Sequence, residues 1–138
     1  MSQVTSDSVY AVAVKNLLLY RIRAFEAYPR LTHAIFSRRG GASQTPYHSL
    51  NLGLLVGDDP NAVQKNFKQA CQAVNITPQQ TVSCYLVHGI RILTIDKTNR
   101  QQVMGQADGL ITGDPGIYLF MRFADCTPLI FYDPRQRA

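Results

Sequence analysis

Two short apolar runs near the end of the sequence, residues 117–121 and 129–132, restrict most strongly how this chain can fold. Both runs are rich in Ile, Phe and Tyr, a composition and length that predict buried strands. The segment between them, residues 122–128, contains Asp125, Cys126 and a proline that interrupts regular strand pairing. Polar groups between core strands cost desolvation energy unless they have partners. Two interpretations of Cys126 follow: a thiol held with Asp125 at a strand end for chemistry, or a small buried hydrophobe.

The composition predicts one globular domain over residues 1–138. This length is enough for one hydrophobic core but not for two. Apolar residues make up 46% and charged residues 17% of the chain, which excludes an intrinsically disordered protein. The net charge of +5 comes from scattered Lys and Arg residues, so it favours anionic ligands or nucleic acid only weakly.

The cysteines and the hydropathy pattern predict a cytoplasmic protein without a membrane partner. Cys71, Cys84 and Cys126 are odd in number and have no short paired spacing, which indicates free thiols in a reducing compartment. No stretch is long and apolar enough to span a bilayer. Residues 9–19 resemble a signal peptide only superficially, since a lysine and an asparagine interrupt them and no small-residue cleavage site follows.

The hydrophobic pattern predicts several strands and one clear helix, which together indicate a mixed α/β (α+β) domain. The helix is expected over residues 60–75, because Asp59 is a favourable N-cap and Pro60 suits the first helical position. Cys71 falls on the apolar face of this helix, so we expect it in the core. Strands are expected at residues 9–14, 17–22, 31–37, 81–87, 90–95, 117–121 and 129–132, with a frayed end at residues 1–8 and loops at residues 44–56 and 96–106.

A glycine pair follows the third predicted strand. Gly40 and Gly41 come directly after Arg38 and Arg39. Glycines allow backbone amides to converge on an anion while an arginine supplies charge, so this composition is typical of a phosphate-binding loop. The segment matches neither the P-loop nor the dinucleotide-binding fingerprint. The alternative interpretation is an ordinary turn with solvated arginines.

Histidine and cysteine side chains at predicted strand ends raise the question of a metal site. His88, beside a glycine, and Cys126 both lie at such ends and are far apart in sequence. A catalytic zinc site needs about three protein ligands, and a mixture of Cys and His is permitted. Of the other histidines, His33 lies in a predicted strand and is favoured as a structural residue, and His48 lies in a loop. The residues alone therefore do not establish a metal site, and a solvated turn histidine is the favoured interpretation of His88.

Arg122 is unusual because it follows directly on an apolar run. If the strand continues, Arg122 and Cys126 share one of its faces. An arginine in apolar surroundings needs an anionic partner, for which Asp125 and a ligand phosphate are both candidates.

Six short segments of the sequence are shared, in order, with a known family. They are HAIFSRRGGAS at 33–43, PYHSLNLG at 46–53, VGDDPNAV at 56–63, VHG at 87–89, ADGLIT at 107–112 and ADCTP at 124–128. Together these segments resemble the YfiH-like family, named both multicopper polyphenol oxidoreductase (laccase-like) and purine nucleoside phosphorylase.

The resemblance implies a zinc-centred site, with copper as the alternative metal, on the mixed sheet of a YfiH-like sandwich. Its ligands would be His88, Cys126 and a further histidine in a His-Ala-Gly-Trp-Arg-Gly segment that does not occur among these residues, so an incomplete domain is expected. Arg38 and Asn51 match pocket residues of the family, and Arg38 with the amides of Gly40 and Gly41 would hold phosphate. An incomplete domain would expose sheet edges and self-associate.

The resemblance also implies phosphorolysis of purine nucleosides and deamination of adenosine, with a purine nucleoside and phosphate as the bound partners. Two positions depart from the family pattern, Leu86 in place of a glutamine and Phe67 in place of an arginine. A copper-dependent polyphenol oxidase is one alternative. A basic nucleic-acid-binding module using Arg38, Arg39 and the tyrosines is another, although no RNA-binding or helix-turn-helix pattern is present.

Overall fold

The computed structural model describes residues 8–138, and most of the frayed end predicted at residues 1–8 lies outside that range. The chain divides into two compact units, the first ending at Thr77 and the second spanning Pro78–Ala138. Sheets and one α-helix are combined among the described residues, which confirms the mixed α/β class. In the same range, no helix combines the length and apolar character needed to cross a membrane.

An antiparallel sheet begins the first unit. Strands β1 (Val9–Val14) and β2 (Leu17–Ile22) form a hairpin, and β2 also pairs with the short strand β3 (Ile35–Phe36). Leu17 and Leu19 alternate along β2 and are buried, as expected of a strand with one face on the core. The predicted third strand at residues 31–37 is reduced to two residues. Backbone pairing with β2 stops there because the Ile22 amide of β2 donates to the His33 side chain instead of to a backbone carbonyl.

The helix of the first unit, α1 (Pro60–Ala73), begins where the sequence predicts and ends two residues earlier than residue 75. The Asp59 carboxylate caps it by accepting a hydrogen bond from the Asn61 amide at 2.9 Å. Its buried positions are Val63, Asn66, Ala70 and Cys71. Burial raises the pKa of the Cys71 thiol to about 11, so this cysteine is protonated at neutral pH and belongs to the core as predicted.

Parallel strands form the second unit. Strand β4 (Thr81–Tyr85) lies between β6 (Val103–Gln106) and β8 (Tyr118–Phe120), and β5 (Ile92–Thr94) pairs with β7 (Gly109–Ile111). The first four residues of β4 are all buried, which is typical of a central parallel strand covered on both faces. Val82, Ile95 and Ile117 form the core of this unit, with Leu93, Met104 and Leu110 packed against them.

Several predicted strands of the second unit differ from the structure. The strand predicted at residues 129–132 does not form; it pairs with no strand among residues 8–138, and Leu129 and Phe131 are 75% and 84% exposed. The strands predicted at 81–87 and 90–95 are shorter, as β4 and β5 show, and β6 lies in the predicted loop at 96–106. Pairing with β4 determines β6, whose own sequence carries little strand signal. Self-association through the exposed apolar residues stays a prediction.

His33 serves the first unit as a neutral structural residue. Its Nε2 atom accepts a hydrogen bond from the Ile22 amide at 2.7 Å, and its ring packs edge-on against Phe25 with centroids 5.1 Å apart. Burial, together with the nearby Arg21 charge, lowers the pKa of His33 below its usual 6.5, while Glu26 acts in the opposite direction. A protonated ring would lose its ability to accept the Ile22 hydrogen bond.

We therefore expect His33 to add pH dependence to the stability of the first unit. Because its folded-state pKa is depressed, its contribution is complete above pH 6.5 and is lost as the pH falls through the lower value. Urea unfolding followed by circular dichroism across this range should show a smaller loss of stability on acidification for His33→Phe than for the wild type. His48→Phe, at an exposed position, is the control. Equal slopes for His33→Phe and the wild type would contradict this role.

Candidate functional site

The glycine loop, defined as residues 38–43, folds around a protein oxygen. The amides of Gly40 and Gly41 donate hydrogen bonds to the Ser49 hydroxyl at 2.9 and 3.2 Å. The guanidinium of Arg38 donates to the His48 carbonyl from Nε at 3.0 Å and also from Nη2. The sequence predicted amides that converge on an anion, and they do converge, but the oxygen that they bind belongs to Ser49. Both amides are therefore engaged within the protein.

The glycines are needed because the chain approaches other backbone atoms closely. A Cβ atom at Gly40, which has a φ of 95°, would lie 1.8 Å from the Asn16 carbonyl oxygen. A Cβ atom at Gly41 would lie 2.1 Å from the Ser49 carbonyl oxygen and 2.6 Å from the Asn66 Oδ1 atom. Neither position accommodates a side chain, so packing within the first unit is sufficient to explain both glycines.

Asn66 connects the glycine loop to helix α1. This side chain is completely buried, with a relative exposure of 0%. Its Oδ1 atom accepts a hydrogen bond from the Ala42 amide at 2.6 Å. Three acceptors surround Nδ2 and share its two hydrogens: Ser43 Oγ at 2.9 Å, the Ser49 carbonyl at 3.1 Å and the Asn51 carbonyl at 2.9 Å. One side chain thus holds two loop segments, residues 42–43 and 49–51, in place.

Asn51, which the resemblance assigns to a pocket, also makes structural contacts. Its Nδ2 atom donates to Asp58 at 2.9 Å, and its Oδ1 atom accepts a hydrogen bond from the Gly53 amide at 3.0 Å. Asp58 also accepts a hydrogen bond from the Ser43 hydroxyl at 2.6 Å. The hydrogen bonds from Ser43 and then Asn51 lower the pKa of Asp58, so the carboxylate is charged at neutral pH.

His88 and Cys126 both follow strands of the parallel sheet in the second unit. His88 follows β4 and Cys126 follows β8, and these two strands are parallel neighbours. The segments that leave the carboxyl ends of adjacent parallel strands emerge at one edge, which is where open α/β sheets bind ligands. Both residues are exposed, and Cys126 is a free thiol, as are the buried Cys71 and Cys84.

Arg122 lies just past the end of β8 with its charge unpaired. Its guanidinium stacks on Phe120 at 5.1 Å from the ring centroid, and its Nε atom is buried without a hydrogen-bond partner among residues 8–138. Burial lowers the pKa of Arg122, and the nearby Tyr85 and Cys84 side chains raise it by a smaller amount. The strand does not continue to Arg122: it ends at Phe120, so no strand face extends from Arg122 to Cys126. Of the two candidate anionic partners, Asp125 is exposed and forms no ion pair among the described residues, and phosphate stays a prediction.

The described residues do not form a metal centre by themselves. His88 and Cys126 offer an imidazole and a thiol, donors that suit zinc and also copper. No group of three or more His, Cys, Asp and Glu side chains within residues 8–138 is placed to hold a metal ion. Two donors fall short of the roughly three that a catalytic zinc needs. These residues therefore do not fit a complete metal site by themselves, and we assign no chemical step to a metal.

The sequence-based interpretation missed three residues that organise the two units: Ser49, Asn66 and Asp108. Asn66 is detectable as a polar residue within the apolar face of an otherwise regular amphipathic helix. Asp108 lies in the ADG segment, and its Oδ1 atom accepts a hydrogen bond from the Val87 amide at 3.0 Å. Ser49 lies in the shared PYHSLNLG segment, but its contact with the glycine amides is not readable from the sequence, because only the folded loop brings its hydroxyl to them.

Comparison with known proteins gives consistent results. A purine nucleoside phosphorylase of Streptomyces coelicolor is 36% identical over 70% of this chain and 40% of its own length. The purine nucleoside phosphorylase YlmD of Geobacillus stearothermophilus is 34% identical over 71% of this chain and 38% of its own. The crystal structure of the Bacillus licheniformis hypothetical protein YfiH superposes with a TM-score of 0.77 at 30% identity, covering 88% of this chain and 46% of that one.

The crystal structure of YlmD superposes with a TM-score of 0.68, also at 30% identity. The chain thus spans less than half the length of these relatives. Residues 32–138 match the family described as multi-copper polyphenol oxidoreductase laccase. With this match over most of its length and the structural likeness to YfiH and YlmD, the chain belongs to that YfiH-like family.

Proposed function

We propose that the protein acts as a purine nucleoside phosphorylase in the cytoplasm. In this reaction a phosphate oxygen forms a bond to C1′ of the ribose while the bond from C1′ to the purine nitrogen breaks. The electron pair of the broken bond and a proton go to the purine, which gives ribose 1-phosphate and the free base. The names of relatives about 35% identical to this chain support the reaction class.

The observation that carries the proposal is the unpaired charge of Arg122. This guanidinium is half-buried, has no carboxylate partner in residues 8–138, and follows the same strand as Cys126. A charged group that has lost part of its hydration is stabilised by an anion, and a guanidinium matches phosphate with parallel hydrogen bonds. We therefore assign to Arg122 the binding of phosphate. Asp125 does not serve as the anionic partner in its place, because it forms no ion pair with Arg122.

The other roles rest on the resemblance. We propose His88 and Cys126 as metal ligands, with zinc as the metal and copper as the alternative, and Asp125 as a catalytic carboxylate at the same segment. Arg38 is proposed as a substrate-binding residue whose guanidinium is oriented by the His48 carbonyl. For Gly40, Gly41 and Asn51 we propose an indirect role, since their hydrogen bonds shape the loop beneath Arg38.

Arg122→Ala is expected to raise the KM for phosphate by at least about tenfold, because a hydrogen bond to a charged group contributes about 1.5–3 kcal/mol. Phosphate-dependent release of hypoxanthine from inosine, measured by chromatography in the protein expressed from its own gene, is the assay. Arg122→Lys should recover part of the loss, since lysine supplies the charge without the planar fork. Arg135→Ala removes an exposed arginine of the same unit and is the matched control. An unchanged phosphate KM in Arg122→Ala would rule out this assignment.

Deamination of adenosine is the second reaction that we propose for this site. It uses water as the nucleophile, so Arg122→Ala should leave it largely unaffected while phosphorolysis declines. The family description names a third reaction, polyphenol oxidation. Metal analysis, together with an oxidase assay before and after copper is added, distinguishes it from the two reactions on nucleosides. Copper-dependent oxidation of a phenol without base release from inosine would favour the oxidase.

A further inference from the structure

We propose that Asp108 is a positioning residue that fixes the backbone around His88 and thereby the direction in which its side chain leaves the turn. This inference rests on the proposed role of His88 as a ligand-bearing residue. Asp108 lies in the connection between β6 and β7, and His88 lies in the connection between β4 and β5. Because β4 is parallel to β6 and β5 is parallel to β7, the two connections run side by side.

Hydrogen bonds join the two connections at three points. The Ala107 amide donates to the Tyr85 carbonyl at 3.0 Å, before His88. The Asp108 carboxylate accepts a hydrogen bond from the Val87 amide at 3.0 Å, directly beside His88. The Asp108 amide donates to the Arg91 carbonyl at 2.7 Å, after His88. Only the middle point uses a side chain, so it is the one that a substitution can remove.

The backbone at His88 needs such support. His88 has a φ of 58°, in the left-handed region that residues with a side chain adopt infrequently. Among residues 8–138, none forms a hydrogen bond to its ring. The backbone of the turn therefore sets the direction in which the Cα–Cβ bond of His88 leaves the chain.

Gly89 completes this arrangement. A Cβ atom at Gly89 would lie 3.2 Å from Asp108 Oδ2, so glycine leaves room for the carboxylate at this turn. The Oδ2 atom is buried without a hydrogen-bond partner among residues 8–138. The Oδ1 atom, bonded to the Val87 amide, is therefore the atom through which the carboxylate holds the turn.

The test compares Asp108→Ala and Asp108→Asn with Asp114→Asn, a control in the same unit whose carboxylate accepts a hydrogen bond from the Lys97 amide at 2.8 Å. Amide hydrogen exchange by NMR reports the Val87 hydrogen bond. Calorimetric titration with Zn²⁺ reports the affinity for the metal that His88 is proposed to bind. We expect Asp108→Ala to speed exchange at Val87 at least about tenfold and to weaken Zn²⁺ binding about 10- to 100-fold, the scale for groups that orient a metal ligand. Asp108→Asn, which keeps an acceptor oxygen, should fall between Asp108→Ala and the wild type.

The outcomes separate this inference from the proposed function. Wild-type exchange at Val87 and wild-type Zn²⁺ affinity in Asp108→Ala would overturn the positioning role. If Asp108→Ala does not fold, Asp108→Asn decides by the same two measurements. If His88→Ala itself leaves Zn²⁺ affinity unchanged, the metal role of His88 fails. Exchange at Val87 and the NMR chemical shifts of the His88 ring then decide the positioning role. Wild-type ring shifts in folded Asp108 variants would contradict it.

Discussion

Replacing Asn66 by alanine is expected to lower the free energy of unfolding of the first unit by about 3–5 kcal/mol, at the upper end for single substitutions. The side chain is fully buried and provides hydrogen bonds to the Ala42 amide, the Ser43 hydroxyl and the carbonyls of Ser49 and Asn51. Its removal leaves the Ala42 amide and the Asn51 carbonyl, both partly buried, without a partner, at about 1–3 kcal/mol each. The Ser49 carbonyl keeps its hydrogen bond from the Ser43 amide, and the Ser43 hydroxyl keeps Asp58. Loop relaxation and entering water will recover part of this cost.

Urea unfolding followed by far-ultraviolet circular dichroism measures this loss. Asn66→Asp is expected to be similarly destabilising, because a carboxylate still accepts the Ala42 hydrogen bond but donates none to the two carbonyls. Gln64→Ala, at an exposed position of the same helix, is the matched control and should change stability by less than about 1 kcal/mol. Equal stabilities of Asn66→Ala and Gln64→Ala would show that the loops do not depend on Asn66.

His88→Ala and Cys126→Ala are each expected to reduce kcat/KM for phosphorolysis by about a thousandfold or more. Residues that act as one catalytic unit lose most of the activity when either is removed, and the double variant should be little worse than the single ones. Both side chains are exposed, so their removal should leave the folding midpoint close to that of the wild type. Initial rates of base release and the metal content of each purified variant are the measurements.

Two matched controls accompany this prediction. His48→Ala removes another exposed imidazole, and Thr127→Ala changes the neighbour of Cys126. Both should retain activity within a few-fold of the wild type. Retained phosphorolysis in Cys126→Ala would remove the thiol from the mechanism, and retained metal content in both variants would remove the pair as ligands.

Elements determined by local signals were predicted well from the sequence. The start of helix α1 follows from Asp59 and Pro60, whose capping chemistry acts within one turn. The β1–β2 hairpin follows from two apolar runs around a two-residue turn, where Lys15 takes a φ of 53°. In both cases the residues that decide the structure are neighbours in the chain.

Elements that depend on distant partners were predicted less well. Strand β6 forms because β4 lies beside it, whereas residues 129–132 have a stronger strand composition but no strand beside them within the described chain. The glycine loop shows the same limitation at the level of the site. Its composition predicted converging amides, but the identity of the bound oxygen, Ser49 Oγ, depends on a segment several residues further along. The interactions of Asn66 and Asp108 are likewise tertiary.

The most direct test of the central claim is the stoichiometry of base release from inosine in the protein expressed from its own gene. The products to be measured together are hypoxanthine and ribose 1-phosphate, with and without inorganic phosphate. We expect one ribose 1-phosphate for each hypoxanthine and no base release when phosphate is omitted. Base release that continues without phosphate, or hypoxanthine formed with free ribose, would contradict the account.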